Sequence, residues 1–182
     1  MNTLPENPVP VSQSDIDVLQ LGVDSKEFVL ETSEDVRTIA TALARQAQHT
    51  LLLHTEDLEP AIFDTTAFLD AASSLVRNRR DSCFRILVNN GRKAVQNEHR
   101  LIELSRRLST DIQIRRPAPQ YQNYHKTFFL ADDAGFLYRP LSSRYEGIAD
   151  FNNPGKVSEL TRYFMEVWEH SEPDEEMRRL HL

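Results

Sequence analysis

Short apolar runs alternate along this chain with stretches whose apolar residues recur every three or four positions. A run of about five apolar residues suits a strand buried on both faces, whereas recurrence at three and four lays a stripe along one side of a helix. Phe28-Val29-Leu30-Glu31-Thr32 reads as a first strand. Thr32 or Ser33 then caps a helix whose stripe is Val36, Ile39, Ala40, Leu43 and Ala47. Thr50 to His54 is the second strand and Phe84 to Val88 the third, with a helix over about 65–79 between them. Asn89-Asn90-Gly91 turns the chain into a helix from about 94 to 108, which buries Leu101, Leu104 and Leu108. His99, mid-helix among charges, should face solvent.

The alternation continues with a short strand at Ile112-Gln113-Ile114 and a loop over 117–122. Strands at 126–131 and 136–139 meet through Asp132-Asp133-Ala134-Gly135, a tetrad that suits a tight turn. A final helix over about 155–170 packs Leu160, Phe164, Val167 and Trp168. This order predicts an α/β fold: a mixed, largely parallel sheet covered by helices on both faces. Phe128 and Leu130 should line one face of a central strand and Phe129 the other. One domain is expected over 16–172, with Asp15 to Val23 packing loosely. Residues 1–15, bearing Pro5, Pro8 and Pro10, read as a flexible tail, and residues 173–182 as a second tail with room for a helical turn.

A chain of 182 residues supports one substantial core. No apolar run approaches the roughly 18 residues of a membrane span, and Met1 to Gln13 does not resemble a secretory signal. The single cysteine, Cys83, excludes an internal disulfide and fits a reducing compartment, so the expected location is cytoplasmic. A net charge of −7 argues against general adhesion to nucleic acid or to an anionic membrane. The charge is segregated, however: residues 77–107 hold nine Arg or Lys against three acids, while residues 1–64 hold twelve acids against three bases. Arg77 to Arg80 and Arg106-Arg107 would close helices, where cations complement the macrodipole. That is the simpler reading, and a local anion site is the other.

The chemistry concentrates in Tyr124-His125-Lys126-Thr127-Phe128-Phe129-Leu130-Ala131-Asp132. Phospholipase-D-like phosphodiesterases carry His, any residue, Lys, four residues, then Asp. His125 and Asp132 keep that separation, but Thr127 occupies the lysine position and the lysine has slipped to Lys126. Alternate strand residues face opposite ways, so Lys126 should point away from any phosphate that His125 meets. The order of elements over about 26–170 also matches one half of the phospholipase-D-like fold, with the near-motif on the strand before the closing hairpin. The chain therefore resembles a bacterial, single-motif branch of that superfamily.

The resemblance implies certain roles and puts others in doubt. In active members two motif copies meet, one histidine attacking phosphorus and the other protonating the leaving group, while lysines hold the phosphate oxygens. With one copy here, a complete site would need a homodimer. The family's Gly-Ser-x-Asn stretch has no match, because Arg139-Pro140 stands at the glycine position. Arg139 is the candidate replacement cation, since a guanidinium binds phosphate oxygens bidentately. His125 is the candidate catalytic residue, against the plainer role of a hydrogen-bonded histidine at a strand start. Thr127, Asp132, Arg139, His54, Asn89 and Asn90 are the candidate ligand-binding residues. The last two and His54 follow strands, where ligands of open α/β sheets collect, whereas Asp132 suits a turn equally well.

No Gly-rich phosphate loop, zinc-ligand spacing or serine elbow is present in the sequence, so neither a cofactor nor a metal is expected. Three functions stay open. The first is a catalytically degenerate domain binding a phosphorylated ligand or a protein partner, with nucleic acid left undecided. The second is a homodimeric, metal-independent phosphodiesterase or nuclease using His125. The third is a structural or regulatory subunit without a ligand site. No membrane partner is expected.

Overall fold

The computed structural model of the protein describes residues 11–78 and 80–178. Helix α1 (Gln13–Asp17) precedes strand β1 (Phe28–Leu30), and α2 (Ser33–Gln46) leads to β2 (Thr50–Thr55). Helices α3 (Pro60–Phe63) and α4 (Thr66–Asn78) separate β2 from β3 (Cys83–Val88). Helices α5 (Arg92–Gln96) and α6 (Arg100–Arg107) lead to β4 (Ile112–Arg116). A 3-10 turn (Pro119–Tyr121) precedes β5 (Thr127–Ala131), β6 (Gly135–Arg139) and β7 (Gly147–Asp150). Last come the long α7 (Pro154–Glu169), the two-residue β8 (Glu172–Pro173) and α8 (Glu175–Arg178).

The eight strands among the described residues join one sheet in the order β1-β7-β6-β5-β2-β3-β4-β8. The sheet is mixed, as expected, but it is not largely parallel. Only β2 with β3 and β3 with β4 run parallel; the other neighbours are antiparallel. The reason is the connections. Helical crossovers join β2 to β3 and β3 to β4, whereas β5 and β6 are joined by the Asp132–Ala134 turn, which permits only antiparallel pairing.

Each face of the sheet has its own core. Val36, Ile39, Leu43, Phe63, Phe68, Phe84 and Phe129 belong to the larger, under α2, α3 and α4. The smaller sits under α7 and contains Leu52, Leu87, Phe128, Leu130, Phe164 and Trp168. Strand β5 lies between β2 and β6, and all five of its residues are buried. Phe128 and Leu130 thus serve the α7 side and Phe129 the other. Helix α2 starts with a reciprocal cap: Thr32 Oγ1 accepts the Asp35 N–H at 3.1 Å, and Asp35 Oδ2 accepts the Thr32 N–H at 2.9 Å. Gly135 opens β6 because a Cβ there would stand 2.5 Å from Leu21 and 2.7 Å from Leu43. Arg77, Arg106 and Arg107 fall in last turns of helices, as the dipole argument requires.

Several local expectations are corrected. The helix expected over 94–108 is two, broken where Glu98 takes a φ of 51°. His99 then caps α6 with its ring, accepting the Leu101 N–H at 3.2 Å, and is buried rather than solvent-facing. Residues 13–17, assigned mostly to a tail, form α1, held by the buried Ile16. Strand β7 is too short and too polar in sequence to show an apolar run; it is defined by its partners β1 and β6. Within the expected second tail, β8 pairs with β4 and Met177 is buried. The rest of the two expected tails, residues 1–10 and 179–182, lies outside the described residues.

Candidate functional site

Strands β2 and β3 end, and the antiparallel β5 begins, at the same edge of the sheet. Glu56, Asn89 and His125 meet there, just beyond the carboxyl ends of the parallel strands. Glu56 Oε2 accepts from Asn89 Nδ2 at 3.0 Å and stands 3.4 Å from His125 Nδ1. The His125 side chain is 63% exposed. Asn90 supports the edge with its backbone: its N–H donates to the Glu56 carbonyl at 2.8 Å, and its Oδ1 accepts from the Arg92 N–H at 3.4 Å. Asn89 Oδ1 is buried without a hydrogen-bond partner among the described residues.

Lys126 reaches Tyr124, which packs on the α7-side core, with its Nζ 5.2 Å from the centre of the ring. Thr127, at the family's lysine position, is wholly buried, and its Oγ1 has no partner among the described residues. Across the strand pair from it stands Arg139, also buried. Its Nη1 meets Glu59 Oε1 at 2.5 Å, its Nε donates to the Arg144 carbonyl at 2.7 Å and its Nη2 to the Ser142 carbonyl at 2.6 Å. The Tyr145 ring lies 5.1 Å away. Burial pushes the Glu59 carboxyl up, and Arg139 opposes that without cancelling it. Arg139 was expected to face a ligand. Instead it braces the loop after β6, because a buried guanidinium must satisfy its donors locally.

Two further candidates lie elsewhere. His54 does not follow β2 but belongs to it, fully buried on the α7 side. Its Nδ1 lies 3.0 Å from the Lys126 carbonyl, which assigns the proton to Nδ1. The ring stacks on Phe128 at 5.3 Å and meets Tyr124 edge-on at 5.1 Å. Burial lowers its pKa to about 4, against which the Lys126 carbonyl and Glu56 act. Asp132 sits at the far end of β5 from His125. It accepts the N–H groups of Gln48, His49 and Thr50 at 2.9, 2.8 and 3.0 Å, from a backbone at φ 52°. It is a tie between two turns.

The structure therefore brings together His125, Asn89 and Asn90, pairs the buried Thr127 with the buried Arg139 on the neighbouring strand, and leaves out His54 and Asp132. It adds Glu56 and Glu59, which the sequence reading missed. Their one signal was position after the second strand, which singles out no residue type in an acidic loop. A histidine with a carboxylate at Nδ1 presents Nε2 to solvent, an orientation suited to nucleophilic attack or proton transfer. The lysine position of the phospholipase-D-like motif holds the uncharged, buried Thr127. Among the described residues no three His, Cys, Asp or Glu side chains are grouped to hold a metal ion.

No curated protein matches this chain. Solved structures do, at low identity. TrmBL2, an archaeal chromatin protein whose structure is described as showing a novel mode of DNA binding, superposes with a TM-score of 0.61 at 13% identity. The match covers 89% of this chain but only 58% of TrmBL2. Nuc from Salmonella typhimurium, a phospholipase D family member, superposes with a TM-score of 0.59 at 12% identity over 83% of this chain and 99% of its own. NucT from Helicobacter pylori gives 0.54 at 12%, again over 83% and 99%. Likeness at this identity establishes a phospholipase-D-like fold. Residues 32–180 match the family described as Domain of unknown function (DUF7931), and the chain belongs to that family, built on a phospholipase-D-like fold.

Proposed function

We propose that this chain is a catalytically degenerate phospholipase-D-like domain, one that binds a phosphorylated ligand or a protein partner without hydrolysing it. One observation carries the reading: a buried threonine stands at the lysine position, and the candidate replacement cation, Arg139, is held by Glu59 and two carbonyls. Losing one preorganised transition-state stabiliser typically costs about 100- to 1000-fold in rate. Pro140, after Arg139, also lacks the N–H that a glycine-rich turn would offer a substrate. Binding asks less, and TrmBL2, 58% of which this chain matches in fold, is described as binding DNA. No helix among the described residues is long and apolar enough to cross a membrane. From the single cysteine, we place the protein in the cytoplasm.

The His125–Glu56 pair favours a second reading, a homodimeric phosphodiesterase. There His125 Nε2 attacks phosphorus, the leaving alkoxide takes a proton from the histidine of a second copy, and water then cleaves the phosphohistidine. Hydrolysis of bis-p-nitrophenyl phosphate and of single-stranded DNA, without metal, separates the two. The expected result is no turnover above that of His125→Ala, with calorimetric binding of phosphate, nucleotides or short oligonucleotides that weakens as salt is added. Turnover lost in His125→Ala would establish the second reading. Neither turnover nor binding would leave a structural subunit.

A further inference from the structure

The α7 side of the sheet is unevenly covered. Helix α7 packs on β2, β5 and β6. Its last turn carries Trp168 towards β3 and β4, where two arginines meet the indole. The guanidinium carbon of Arg115 lies 4.3 Å from the ring centre and that of Arg85 lies 5.5 Å from one. The two are diagonal neighbours on adjacent strands: Arg85 stands opposite Gln113, and Arg115 opposite Leu87. All three polar side chains are half-buried.

What these arginines touch is uncharged. Arg100, Arg116 and Arg139 each hold a carboxylate, from Asp64, Asp174 and Glu59. Acids outnumber bases here, 28 to 21, so a half-buried guanidinium has many potential partners. Yet Arg85 donates only to the Met165 sulfur, at 3.6 Å, and Arg115 only to the Trp168 carbonyl, at 3.4 Å, among the described residues. A guanidinium carries five N–H donors in a rigid fork. A thioether and one long carbonyl contact leave most of them unused. Two like charges on one face also repel, and an anion between them removes that penalty.

We propose that Arg85 and Arg115, with Gln113 beside them, form a binding site for a phosphate dianion, separate from the His125 edge. Two forks match two charges and several acceptor oxygens, whereas a single carboxylate satisfies one fork. The assignment does not depend on whether the His125 edge binds or hydrolyses anything.

Trp168 is the only tryptophan in the chain, so its fluorescence reports on this site directly. The experiment titrates the whole protein with inorganic phosphate and with glycerol phosphate, against chloride and acetate at matched ionic strength. The expected result is a saturable emission change with the phosphates alone, kept in His125→Ala. Affinity should fall about tenfold or more in Arg85→Gln and in Arg115→Gln, the range for one charge-assisted contact. Tighter binding of glycerol phosphate would identify a phosphomonoester as the ligand, and tighter binding of inorganic phosphate the free ion. An equal change with chloride, no saturation, or curves unaltered in both arginine variants would overturn the proposal. Because Arg115 also bonds the end of α7, Arg85→Gln decides the matter alone if Arg115→Gln fails to fold.

Discussion

Thr127 and Arg139 face each other across β5 and β6, so the occupant of position 127 shares a buried space with a fixed positive charge. Thr127→Lys would restore the family's residue type but place an unpaired ammonium beside that guanidinium. It should lower stability by about 2–4 kcal/mol in urea unfolding and bring no phosphodiesterase activity. A variant as stable as the parent would show that position 127 opens to solvent. Two buried histidines make a second prediction. Burial depresses the pKa of His54 from 6.5 to about 4, and lowers that of His99, with Asp64 opposing. The unfolded rings therefore take up protons that the folded rings refuse. Stability should be fully present above about pH 6.5 and fall as pH drops towards 4, by about 3 kcal/mol for His54 alone. Urea midpoints at pH 7 and pH 5 test this, and His54→Gln, which cannot titrate, should remove much of the difference.

Elements are joined here by single polar side chains. Asp132 ties the β5–β6 turn to the start of β2 through three backbone N–H groups. Asp132→Ala should cost about 2–3 kcal/mol, since it orphans those donors and puts a Cβ-bearing residue without a compensating side chain at φ 52°. Asp132→Asn, which tolerates that backbone and keeps one acceptor, should cost less. Equal melting temperatures for the two variants would count against the tie. The α5–α6 break shows the same economy of means. Residues 94–108 carry helical periodicity throughout, but Asp64 receives Arg100 Nε at 2.6 Å and so fixes where α6 begins. A local pattern shows that a helix exists; a contact from α3's flank decides its first residue.

At the scale of the whole molecule, β2 and β5 form the centre, with neighbours on both sides and helices above and below. Amide exchange should be slowest in these two strands and fastest in β1 and β8, the edges. Faster exchange in β5 than in β1 would contradict this arrangement. Much of the fold was legible because burial on two faces writes itself into a strand as a continuous apolar run, and because helix stripes repeat every three or four residues. The alternation of 28–54, 84–88 and 126–139 with helices therefore specified an α/β sandwich, and the spacing of His125 and Asp132 pointed to its phospholipase-D-like form. Strand direction at the short connections, the β7 strand and the split of 94–108 were not legible, since each depends on partners distant in sequence. The site divides the same way. That His125 stands where a strand begins was readable from residues alone. That Glu56 meets it, that Arg139 is spent on Glu59, and that His54 is walled into the core were decided by the tertiary structure. A side chain's partners are set by which strand ends the fold brings to one edge, and no local pattern records that.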